Sequence, residues 1–178
     1  MAETGNGMAD VFVVWAGRPA DDRRSVLEVR EAGCFELHGL HWEESFIAAE
    51  GRRRICHYRA PDAESVRIAF RQGGVPVESV WAGTVHDMLP PDSDPVAGNV
   101  VMEWAFPRPL PESPGIAVRL AQSELLIPEG LRLLRAVVSR DRERIVCLCQ
   151  TAAEAAGGWP RRPHAASAWP CHRVSAGG

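Results

Sequence analysis

No apolar run in this chain approaches the roughly 20 residues that a membrane-spanning helix requires. The start, MAETGNGMAD, carries neither a basic region nor an apolar stretch, so it does not read as a secretory signal. Cytoplasm is the expected location. Surplus basic charge is absent too: 20 Lys and Arg stand against 23 Asp and Glu, for a formal net charge of -3. Such a balance gives no electrostatic footprint for nucleic acid or an anionic membrane, and neither is expected as a partner. The short run Arg52–Arg54 sits at a turn and reads as solvated. No phosphate loop, dinucleotide fingerprint or Ser-His-Asp order stands out, and the glycine pairs at 73–74, 157–158 and 177–178 lack a strand–loop–helix context. The five cysteines are an odd number without a secreted spacing pattern, so reduced thiols are expected. Tyrosine occurs once, at Tyr58.

What is present is a chain of 178 residues, 46% hydrophobic, able to fill one ordinary core or two small ones. Residues 1–9 are small and polar and read as a disordered tail. Val11 to Ala16 (VFVVWA) is an apolar run of strand length. A helix is expected after the Asp21–Asp22 cap, with Val26, Val29, Gly33 and Leu37 on one stripe and Gly39 as its left-handed terminator. His41–Ala48 and Arg53–Arg59 read as a hairpin. Pro61 and Asp62 open a second helix whose buried stripe is Ala63, Val66 and Phe70, and Val75–Val85 is again extended.

Residues 87–98, rich in Pro, Asp and Gly, form a linker. The sequence then repeats itself. Gly130 to Cys147 aligns without a gap on Gly39 to Cys56, matching Gly39 with Gly130, Leu40 with Leu131, Arg53 with Arg144 and Cys56 with Cys147. Strands are expected at Asn99–Phe106, Leu131–Ser139, Glu143–Gln150 and Ala166–Val174, with a helix from Ser113 to Pro128 and a second one cut short by WPRRP. The expected organisation is therefore α+β: tandem ferredoxin-like βαββαβ units at 10–86 and 99–174, the second degenerate, with a tail at 175–178. Each unit has helices on one sheet face only, so the two sheets would meet as a pseudo-dimeric α/β barrel with a pocket between them. A monomer acting as a pseudo-dimer, or a homodimer, follows.

The run WEESFIAAEGRRRICHYRAPDAESV resembles a family of small actinobacterial ferredoxin-like domains described as domains of unknown function or as nickel-binding proteins. The matching features are Trp42, the segment Ser45–Phe46–Ile47–Ala48, the basic turn Arg52–Arg54, Cys56, Tyr58 and Ala60–Pro61–Asp62, within about the first 85 residues. The second copy keeps a Glu in its first strand, Glu103, where the first copy has Val14; Cys149 replaces the Tyr. A His common in the family before the Ser of the second strand is Glu44 here and Arg135 in the second copy. The resemblance implies the fold and, with these departures, nickel.

Two constellations can carry chemistry. In the second copy, Glu103, Cys147 and Cys149, with Cys171 or His172, supply thiolate, carboxylate and imidazole donors suited to Zn²⁺ or Ni²⁺; the plainer alternative is that the cysteines are buried small hydrophobes. In the first copy, antiparallel pairing would set Glu44 by Cys56 and Trp42 by Tyr58. Glu44 would then be an acid or base in an apolar pocket lined by Trp42, Cys56, Trp15 and Trp104, and Tyr58 an oxyanion partner. The alternative is a solvated Glu44 and a core Tyr58. His41 and His57 fall on the other face in this register, and a slip of one residue would exchange them with Glu44 and its companions. The expected function is binding of a small molecule or a nickel-like metal ion. Alternatives are a cofactor-free cyclase, isomerase or monooxygenase acting on an aromatic or polyketide-like molecule, and a structural or partner-binding module.

Overall fold

The computed structural model describes residues 7–16, 34–89, 98–112, 115, 119, 130–151 and 166–175. The chain divides into two compact units, Met1–Gly83 with Val174–Gly178, and Thr84–Arg173.

In the first unit, β1 (Ala9–Ala16), β2 (His41–Ala48), β3 (Arg53–Ala60) and β4 (Ser79–Asp87) pair in the order β2-β3-β1-β4, all antiparallel. Helix α1 (Cys34–Leu37) ends on Gly39, whose φ of 65° places it in the left-handed region. The Gly39 N–H then donates to the Glu36 carbonyl, and the Leu40 N–H to that of Phe35. Helix α2 (Ala63–Gln72) buries Val66, Ala69 and Phe70. Period-two alternation places Val11, Val13, Cys56, Tyr58 and Val80 on the sheet face that packs with Phe35, Val66 and Phe70 in one core. Phe70 is its centre, with ring contacts to Trp15, Phe35 and Tyr58 at 5.6, 5.7 and 5.7 Å. Arg54 lies over the Trp15 ring at 5.3 Å.

In the second unit, β5 (Val100–Ala105), β6 (Leu131–Ser139), β7 (Arg144–Thr151) and β8 (Ala166–Ser175) form antiparallel pairs β6-β7, β7-β5 and β5-β8. One face carries Val100, Met102, Trp104, Ala136, Ile145, Cys147 and Cys149.

The expected tandem ferredoxin-like βαββαβ, α+β architecture, closing as a pseudo-dimeric α/β barrel, is corrected by these elements. The described residues are mostly antiparallel sheet, with eight strands and two helices. The sites of the second unit's expected helices, apart from Gly115 and Arg119, and all of 21–33, lie outside the described residues. The apolar cover described on the second unit's sheet comes from Met88, Phe106 and Leu110, which lie outside its helices and strands. The physical reason is the composition of the runs VFVVWA, VVMEWA and RIVCLC: rich in branched and aromatic side chains, they pair with a strand on each side.

What does recur is the strand order, β2-β3-β1-β4 matched by β6-β7-β5-β8, and within it the hairpin. Both copies carry an irregularity at the same place, between Trp42 and Glu44 and between Leu133 and Arg135. Each lets one strand hold an extra residue, Glu43 or Leu134, which turns the register by one step.

The N-cap of α2 gives a pH-dependent test. Asp62 accepts from the Ser65 N–H at 2.7 Å and the Ser65 hydroxyl at 2.9 Å, and these bonds, the backbone one first, hold its carboxyl below the usual range. A depressed folded-state value stabilises the fold above the unfolded carboxyl value, roughly pH 4, and that contribution is lost as pH falls through the folded value. Asp62→Ala is expected to cost about 1 kcal/mol at pH 7 in urea unfolding, with the difference from the unsubstituted protein narrowing as pH falls through the folded-state value. A pH-independent difference would show that the cap is not the cause.

Candidate functional site

The irregularity in β2 decides which side chains meet. Trp42 pairs with Tyr58 as the regular register requires, but the next pairs are Glu44 with His57 and Ser45 with Cys56. Glu44 thus leaves the helix-side face, where regular pairing with Cys56 would hold it, and joins His57 on the opposite face. Pairing continues the line across the sheet: His57 with Phe12, and Phe12 with Trp81. One row therefore runs Glu44–His57–Phe12–Trp81 over four adjacent strands.

Its members touch. The His57 imidazole stacks on Phe12 at 4.7 Å and 11°, and Phe12 stacks on Trp81 at 4.8 Å and 24°. His57 Nε2 lies 2.8 Å from Asp10 Oδ1, which also accepts from Arg59 Nη1 at 3.1 Å. On the far side of the ring, His57 Nδ1 lies 3.6 Å from Glu44 Oε1. Glu44 is 3% exposed and His57 7%. If Nε2–H serves Asp10, the Nδ1 lone pair would face a carboxylate unless a further proton sits on Nδ1 or on Glu44. At 3.6 Å this Nδ1–Oε1 approach is an ion-pair distance, longer than a hydrogen bond. Burying such a carboxylate–imidazole–carboxylate line costs the fold, since desolvation offsets much of the mutual attraction.

The remaining predicted residues of the first unit lie on the helix side. Trp42 Nε1 donates to Ser45 Oγ at 3.0 Å, and Ser45 Oγ donates to Cys56 Sγ at 2.9 Å. Burial pushes the Cys56 thiol up to about 11, against a smaller pull from the Ser45 hydrogen bond. Tyr58 is fully buried between Phe35 and Phe70; its hydroxyl makes no well-formed hydrogen bond, only a weak contact with the Cys56 thiol, and burial raises its pKa. Tyr58 and Glu44 are thus on opposite faces of the sheet. Trp15 packs edge-on to Phe70, and Trp104 belongs to the core of the second unit.

The proposed metal ligands also separate. Cys147 pairs with Met102, and Glu103 pairs with Val146, so the carboxylate and the thiol point to opposite faces. Glu103 Oε1 accepts from Trp169 Nε1 at 2.8 Å and from Ser167 Oγ at 3.4 Å. Cys147 and Cys149 are buried, whereas His172 is exposed. Burial raises the pKa of Cys147, and pushes the thiols of Cys149 and Cys171 up to about 12. Among the described residues no group of three or more His, Cys, Asp and Glu could hold a metal ion.

Sequence reading missed the grouping of Asp10, Phe12, His57 and Trp81 with Glu44. Strand alternation alone places Phe12, His57 and Trp81 on one face. The extra residue that brings Glu44 to them has no marker such as Gly or Pro in Trp42–Ser45.

Comparison with known proteins gives a class first. Residues 19–82 match the family described as "Nickel responsive protein SCO4226-like". That segment, which contains β2, β3, α1 and α2, is similar to nickel-responsive proteins. A solved structure, "Crystal structure study of anthrone oxidase-like protein", is similar at a TM-score of 0.49 and 9% identity, over 97% of this chain and 94% of that one, a likeness too slight to carry an argument. A search of curated proteins gives no match. Among the described residues, no helix is long and apolar enough to cross a membrane.

The raised thiol values have a direct test. Two pH units of thiol shift make the thiolate about 100-fold scarcer near neutral pH. Native Cys56 is expected to react with a disulfide reagent at pH 8 at least about 100-fold more slowly than in urea, read by mass-spectrometric mapping of labelled peptides. Labelling at the unfolded rate would contradict its burial. Tyr58→Phe removes a buried hydroxyl whose one polar contact, with the Cys56 thiol, is weak, so it is expected to be neutral or to stabilise by up to about 1 kcal/mol in urea unfolding.

Proposed function

We propose that this protein binds a small organic molecule on the face of the first unit's sheet that carries Glu44, His57, Phe12 and Trp81. The observation that carries this reading is the Glu44–His57–Asp10 line set beside stacked aromatic rings. A core built for stability alone gains little from a buried carboxylate and a half-buried one around an imidazole. The rings supply a surface suited to a flat apolar ligand, and the Glu44–His57 pair supplies an end that can give or take a proton.

A second reading, nickel binding, is favoured by the similarity of residues 19–82 to nickel-responsive proteins. The imidazole and carboxylates of His57, Glu44 and Asp10 are donor types that suit Ni²⁺, although as placed they do not converge on one point to hold it. Because the two carboxylates meet opposite nitrogens of one ring, a metal at His57 would have to displace one of them.

Calorimetric titration with 2-naphthol, and separately with nickel sulfate, tests both on the unsubstituted protein and on Glu44→Gln and His57→Gln. Binding of 2-naphthol weakened about tenfold by Glu44→Gln is the expected result, since one charge-assisted hydrogen bond is lost. Nickel binding that disappears in His57→Gln, with no naphthol binding, would transfer the site to the metal. Heat from neither titrant would overturn both and favour a structural or partner-binding module.

A further inference from the structure

The two units treat one tryptophan position differently. In the second unit Trp169 pairs with Val101 across β5–β8, and its indole N–H reaches Glu103, two residues further along β5. In the first unit Trp81 pairs with Phe12 across β1–β4, and the residue two further along β1 is Val14. The strands correspond, because Val13 faces Cys56 as Met102 faces Cys147. Val14 offers no acceptor. Trp81 is 7% exposed, and its buried Nε1 has no hydrogen-bond partner. A buried unpaired donor of this kind costs about 1–3 kcal/mol, so its persistence asks for an explanation.

Around Trp81 the same face is prepared for more than apolar packing. The adjoining row on this face is Phe46, Ile55 and Val14, which pair across β2, β3 and β1 and are all buried. At the far end of the polar row stands Glu44, three strands away from Trp81. Strand spacing puts their backbones roughly 14 Å apart, with the stacked His57 and Phe12 rings between them, so a molecule laid across those rings that reaches both ends has about the length of two fused rings with a polar group at each end. In the second unit the corresponding row is Arg135, Leu148, Val101 and Trp169, which has neither the imidazole nor the unpaired indole.

We infer that the ligand of this face is an elongated aromatic molecule with a hydrogen-bond acceptor at one end, taken by Trp81 Nε1, and a donor at the other, taken by Glu44. The inference rests on the small-molecule reading above and adds the polarity and length of the ligand. The ligand's acceptor does for Trp81 what the Glu103 carboxylate does for Trp169.

Three probes separate the ends: 6-hydroxy-2-acetonaphthone carries both groups, 2-naphthol lacks the acceptor and 2-acetonaphthone lacks the donor. The hydroxy ketone is expected to bind most tightly. Trp81→Phe is expected to weaken it about tenfold while changing 2-naphthol less than about twofold, and Glu44→Gln to leave 2-acetonaphthone unaffected. The unsubstituted protein gives a readout independent of any variant's folding: the ¹⁵N-indole cross-peak of Trp81 moves downfield with the two ketones and stays in place with 2-naphthol. Binding of all three probes with no ketone-specific change at Trp81 overturns this inference and leaves the binding reading intact. Failure of all three to bind overturns the binding reading, and this inference with it.

Discussion

One extra residue in β2 is the constraint from which the site follows. Side chains on a strand alternate with a period of two, so a single inserted position sends every later residue to the other face. Before the insertion, Trp42 faces Tyr58; after it, Glu44 faces His57 and Ser45 faces Cys56. Regular pairing would have placed the Glu44 carboxylate against a buried thiol under α2. The shifted register gives that position to Ser45, whose hydroxyl bonds the thiol, and delivers Glu44 to the imidazole.

The two faces of the first sheet are thereby given different chemistry. The helix side is an aromatic core centred on Phe70, with Cys56 and Tyr58 locked in their neutral forms by burial. A fixed neutral thiol and phenol serve packing. The other side holds Asp10, Glu44, His57 and Arg59 in contact with one another, bordered by Phe12 and Trp81. The carboxylates and the imidazole thus share a face with the stacked rings. The second hairpin keeps the irregular register but fills the positions with Arg135 and Leu148, so shared backbone geometry carries unequal chemistry. There Glu103 serves the indole of Trp169. A carboxylate held by an indole N–H and a serine hydroxyl, on the face opposite the thiols, is a structural hydrogen-bond acceptor in this fold.

The positions of the strands were legible in the sequence, because an apolar run or an alternating one of six to ten residues has few ways to bury itself other than by lateral pairing. The left-handed glycine at Gly39 and the Asp62 cap were legible for a local reason: backbone conformation and a side chain three residues away settle them. Burial of Cys147 and Cys149 followed from their place in an apolar run. The larger architecture did not follow. Similarity between two hairpins suggested two complete βαββαβ units, but the described chain is mostly antiparallel sheet, and the parts that recur are the strand order and the hairpin within it.

Residue type and spacing by themselves determined where strands fall to within a few residues, which helix ends are capped, and which side chains could do chemistry. Only the tertiary structure decided which of those side chains meet. Asp10 and His57 are 47 residues apart in the chain yet 2.8 Å apart in space, and no local pattern encodes that distance. The partition of Glu44 from Tyr58 and of Glu103 from Cys147 has the same origin. A face is a property of register, register depends on the neighbouring strand, and one unmarked extra residue reverses it.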